Sequence, residues 1–135
     1  MAILDNLGKY RNTGLLLLRI GIGIMFIIHG FPKLAAGPDG WASLGKSMGV
    51  IGINFIPIFW GFMAAVTETF GGFLLVVGLF YRPALILLVF TMIIATMVQL
   101  SKGGGLKGAS QAVEMGILFF SLIFIGPGKY SVDKK

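Results

Sequence analysis

The sequence predicts an all-α integral membrane protein, a four-helix bundle with both termini on the same, cytoplasmic side. Three observations lead there. Hydrophobic residues make up 56% of the 135 and charged residues only 12%, with a mean hydropathy of +0.93. A soluble domain carries about 25% charged residues, so this chain has too little polar material to coat a globule in water. Four apolar segments each approach the roughly 20 residues that a helix needs to cross a hydrocarbon core of about 30 Å. These runs also lack the alternation of a barrel wall. The length suits a single domain.

The first span is expected over about residues 13–34. Lys9 and Arg11 precede it and Leu34-Ala35-Ala36 ends it. Its apolar run is longer than a signal-peptide core and Arg19 interrupts it, so it is expected to be a retained helix. The connection over about 35–54 holds glycine, proline and Trp41, and is expected to be an interfacial segment that could lid whatever lies beneath. The second span is placed at about 55–80. Tyr81-Arg82-Pro83 is read as a tight turn with proline at a first helical position, opening a third span at about 83–100. Lys102-Gly103-Gly104-Gly105 is a flexible loop without the spacing of a phosphate loop, and the fourth span follows at about 108–125.

Four spans bring the termini to one side. That side collects Lys9, Arg11, Arg82, Lys129, Lys134 and Lys135, against Lys33, Lys46, Lys102 and Lys107 opposite. The excess of basic residues favours cytoplasmic termini. The net charge of +6 comes from basic residues scattered between helix ends, which suits lipid headgroups better than nucleic acid. With no cysteine and His29 as the one histidine, no metal or iron–sulfur site is expected. A redox role would then need an outside carrier, such as a lipid-soluble quinone.

The expensive residues inside the spans carry the functional reading. At about 100° per residue, Phe26, His29, Gly30 and Lys33 all fall within about 80° of Arg19, on one helix face. Glu68 shares its face with Gly61, Ala64, Ala65, Gly71 and Gly72, small residues that let a neighbouring backbone come close. Glu114 is flanked by Ser110, Gln111 and Ser121, and the third span adds Thr91 and Gln99 on a shared stripe. The expected bundle interior therefore holds Arg19 with Glu68 in one polar layer and His29 with Glu114 in another. Lys33 is expected at the rim as an interfacial anchor. Buried ionisable groups in membranes commonly mark proton or substrate paths. Glu68, Glu114 and His29 are thus the candidate catalytic residues, with Arg19, Phe26, Lys33 and Gln111 as candidate substrate-binding residues.

These stretches resemble a known family. LLRIGIGIMFIIHGFPKL, then Glu68-Thr69-Phe70-Gly71-Gly72, Gly78, Tyr81-Arg82-Pro83-Ala84, Glu114 and the ending GPGKYSVD are similar in order and spacing to DoxX-family membrane proteins. The resemblance implies a compact four-helix membrane bundle and a role as a component of a membrane oxidoreductase, in the bacterial plasma (inner) membrane. The relatives that name the family belong to a thiosulfate:quinone oxidoreductase. Arg19, His29, Lys33, Glu68 and Glu114 occupy the family's polar motif positions. The expected function is that of a subunit binding a quinone or similar small hydrophobic molecule, with a redox partner subunit supplying electrons. A small proton-coupled transporter or channel, and a non-catalytic scaffold recruiting soluble redox enzymes, are the alternatives.

Overall fold

The computed structural model describes residues 3–134. A short 3-10 turn, Asp5–Tyr10, leads into the first long helix, α1 (Arg11–Ala35). A brief helix α2 (Gly37–Gly45) and a second 3-10 turn, Lys46–Ile51, follow. Three further long helices complete the chain: α3 (Pro57–Val77), α4 (Tyr81–Ser101) and α5 (Gly105–Ile125). Each of the last three has 21 residues, a length of about 31 Å. That matches a bilayer core, and all four long helices are apolar enough to cross one. Large apolar side chains such as Ile28, Phe70, Phe73, Ile86, Ile93 and Phe124 are exposed along them, where a soluble protein would place charge. The protein is an integral membrane bundle of four spanning helices.

The helix ends differ from the sequence expectation by a few residues, for local reasons. Helix α3 begins at Pro57, whose missing N–H would have no intrahelical partner anyway, and stops where Gly78 adopts φ +72°. Tyr81, rather than Pro83, is the first residue of α4; Pro83 lies inside its first turn, where a proline is still tolerated. The connection over 35–54, expected as an interfacial segment, is largely helical. Trp41 in α2 packs its ring edge-on to Phe62 at 4.8 Å and donates its indole N–H to the Leu34 carbonyl at 3.2 Å.

Glycine sets how the layers meet. A Cβ on Gly23 would lie 2.5 Å from the Gly72 carbonyl oxygen, and one on Gly30 would lie 2.7 Å from the Thr69 nitrogen. Helix α1 therefore lies backbone to backbone along α3, as the small-residue face of the second span predicts. Gly45 and Gly61 do the same for α2, whose backbone rests against the start of α3.

The apolar core occupies one half of the bundle. Leu75, Tyr81, Leu85, Leu88, Phe119 and Leu122 form it, near the end of α3, the start of α4 and the end of α5. Phe26 seals it by meeting Phe119 edge-on at 5.1 Å. The chain ends meet at this same end of the molecule. The Asn12 side-chain oxygen accepts the Lys129 N–H, and the Val132 and Asp133 amides donate to the carbonyls of Val77 and Gly78. Toward the opposite end the helices part, leaving two clefts.

Candidate functional site: an ion pair between two clefts

Glu68 lies on the α3 face that meets α1, where its own Cβ would touch any side chain placed at Gly30. One turn beyond Gly30, Lys33 reaches back to it. A helical Cα–Cβ bond tilts toward the helix N-terminus, so the Lys33 stem runs inward from the end of α1. Its Nζ donates to both carboxylate oxygens of Glu68, at 2.9 and 3.0 Å. Glu68 is 7% exposed, whereas the Lys33 side chain keeps 41% of its surface open. The two charge-assisted hydrogen bonds give each oxygen of the buried carboxylate a donor.

The pair borders both clefts. One, of about 350 Å³, lies between α3 and α4 beneath the α2 segment; Met48, Trp60, Thr67, Thr91 and Gln99 join the pair in lining it. The other, of about 390 Å³, lies among α1, α4 and α5 and is lined by Phe26, His29, Gln99, Gln111 and Met115 as well as the pair. Gln99 is common to both. The backbones of α1 and α5 come no nearer than 8 Å, Cα to Cα. The second cleft therefore opens where α1 and α5 do not pack backbone to backbone.

Of the candidate residues read from the sequence, His29, Phe26, Lys33, Glu68 and Gln111 are brought together around this second cleft. His29 sits on its exposed side. Its Nδ1 lies 2.7 Å from the Met25 carbonyl. A carbonyl only accepts, so Nδ1 carries the proton and Nε2 is the nitrogen left for other partners.

Three expected arrangements are corrected. Arg19 does not pair with Glu68. The same backward tilt of helix side chains carries its guanidinium toward the terminal end of the bundle, away from the acid. There it is 1% exposed, with Nη1 donating to the carbonyls of Leu75 and Val76 at 3.5 Å and Nη2 donating to the Tyr130 carbonyl. A cation at the carboxyl end of α3 also meets the negative end of that helix dipole. Lys33 is the partner of Glu68 instead of an outward-reaching anchor. Glu114 forms no layer with His29: it is exposed on α5 and lines neither cleft. An ionisable side chain near the middle of a spanning helix costs about 2.5–3.5 kcal/mol on insertion scales when lipid surrounds it.

Two cleft residues carried no signal beyond their type. Trp60 reads in the sequence as one more aromatic of an apolar run, yet its buried indole N–H has no partner among the described residues. Thr67 gains its place only from the distance between α3 and α4.

The comparisons with known proteins agree with this architecture. A family model described as DoxX matches residues 14–100. An uncharacterised protein of Haemophilus influenzae is 32% identical over 138 aligned residues, covering 98% of this chain and 97% of that protein. The inner membrane protein YphA of Escherichia coli is 31% identical over 136, covering 95% and 94%. No solved structure matches.

Proposed function

The chain belongs to the DoxX family, and on that footing we propose that it binds a quinone, or a similar apolar molecule with carbonyl oxygens, in the cleft between α1 and α5. It would do so as the membrane subunit of an oxidoreductase system in a bacterial inner membrane, its termini cytoplasmic. The observation that carries this reading is the Lys33–Glu68 pair at the inner wall of a cleft that also presents His29 and Gln111.

The residues suit such a guest. The apolar walls from Phe26, Met92 and Met115 take the ring and the beginning of a tail. One quinone carbonyl accepts a hydrogen bond from Lys33. Reduction adds two electrons from a redox partner and two protons, turning each carbonyl into a hydroxyl. Lys33, Glu68 and His29 are the proton carriers within reach of the cleft. Arg19, hydrogen-bonded to three backbone carbonyls, serves as a structural clamp in this reading.

The test is titration of a short-tailed ubiquinone or menaquinone analogue into the protein in nanodiscs, followed by quenching of tryptophan fluorescence. Saturable binding is expected, weakened roughly tenfold by Lys33→Met, which removes about 1.4 kcal/mol of hydrogen bonding, or by Phe26→Ala, which removes part of the apolar wall. No saturable binding, or binding indifferent to both substitutions, overturns the reading. A second reading draws on the ion pair lining clefts on both of its sides, as a proton or solute path requires. Solute or proton flux in proteoliposomes without any redox partner would favour transport.

A further inference from the structure

We propose that the outer face of α5 is the contact through which two copies of this chain associate side by side in the membrane, the Glu114 carboxyl of each hydrogen-bonded to Gln111 of the other. The starting point is Glu114 itself, exposed near the midpoint of Gly105–Ile125. The hydrocarbon core offers no water to satisfy a carboxyl there. Neither cleft reaches it, and no hydrogen bond or ion pair to it exists among the described residues.

Glu114 does not stand alone on that face. Lys107, Ser110, Gln111 and Ser121 all fall within about 60° of it around the helix axis, and Lys107, Gln111 and Ser121 are exposed as it is. This is a polar stripe on the outside of a membrane helix, bordered by the exposed Ile117 and Ile125. Lipid has nothing to offer it.

The stripe's chemistry names its occupant. It holds acceptor and donors within one turn: the Glu114 carboxyl, the Gln111 amide N–H groups and the Ser110 hydroxyl. Two copies inserted in the same sense and related by a two-fold axis along the membrane normal set the same stretch at the same depth. Each acceptor then faces the other copy's donors, and the contact is made twice by one self-complementary surface. The offset of about 4.5 Å along the axis between Gln111 and Glu114 is within reach of two such side chains, so each carboxyl can meet the other copy's amide. Polar residues join membrane helices in this way because alternative partners are scarce.

The absence of cysteine makes the test direct. A single Ser121→Cys variant in native membranes is expected to form a covalent dimer under mild oxidation, while Phe73→Cys on the lipid-facing side of α3 is not. In bilayers diluted step by step, single-molecule photobleaching is expected to show a dimer whose affinity falls roughly tenfold in Glu114→Leu. Glu114→Gln, which keeps the hydrogen bond, is expected to stay dimeric. Helical content by circular dichroism checks that each variant is folded. A wild-type chain that is monomeric at every dilution, a folded Glu114→Leu that dimerises undiminished, or cross-linking through Phe73→Cys alone would each overturn the proposal.

Discussion

Lys33 and Glu68 show how a spanning helix can hold an ion pair without losing stability to it. Glu68 is buried against the α1 backbone, while the lysine stem covers apolar surface and leaves part of its length open. Removing one partner strands the other: Lys33→Met leaves a buried carboxylate with no cation. Given how open the lysine is, the expected loss is about 2 kcal/mol. Replacing both, Lys33→Met with Glu68→Leu, is expected to lose less than the sum of the single changes. Reversible unfolding in mixed micelles, run as a double-mutant cycle, checks this; strict additivity would mean that the 2.9 Å contact carries no coupling.

At the scale of elements, contacts far apart in sequence decide the packing. Helix α1 touches α3 through Gly23 and Gly30, where any Cβ would meet the α3 backbone or the Glu68 stem. Gly30→Val is therefore expected to force the two helices apart, destabilising the bundle by about 1–3 kcal/mol and weakening the Lys33–Glu68 contact. A lowered unfolding midpoint, together with loss of any ligand binding, is the expected readout. The start of α4 depends on the tail in a similar way. Phe80 adopts φ +45°, and its N–H and that of Tyr81 donate to the Asp133 carboxylate at 3.2 and 2.8 Å. Asp133 thus serves α4 as an N-cap delivered from the far end of the chain, on the positive side of its dipole. Asp133→Ala is expected to cost about 1 kcal/mol, read as faster hydrogen exchange in the first turn of α4.

Across the whole molecule, the two halves have different physics. The half that carries the chain ends is filled with apolar side chains and stitched by the tail, with Arg19 bound to carbonyls of α3 and of Tyr130. The other half keeps its charges and its open space. A rigid end joined to a cleft-bearing end suits a bundle that admits a guest without coming apart. The fold also requires the ends at residues 5 and 134 to emerge together, with the loop at 102–104 opposite. Single cysteines introduced at Asp5 and Lys134 are expected to label from the same side of sealed vesicles, and one at Lys102 from the other. Labelling of the two ends from different sides would contradict the four-span topology.

The sequence by itself determined the membrane environment, the number of spans and the glycine-lined face of α3. Each follows from composition or from periodicity within one helix, where the 3.6-residue repeat is certain. It also singled out His29, Lys33, Glu68 and Gln111 among the residues that line the α1–α5 cleft, because ionisable and polar groups are rare enough in such helices to be conspicuous. Only the tertiary structure decided the partners: Lys33 with Glu68, Arg19 with backbone carbonyls, Asp133 with the start of α4, and Glu114 outside. Residues on one helix face can look toward either end of a bundle, and the choice rests on side-chain tilt and on the depth at which neighbouring helices cross. Those quantities are properties of helix pairs, so no single helix encodes them.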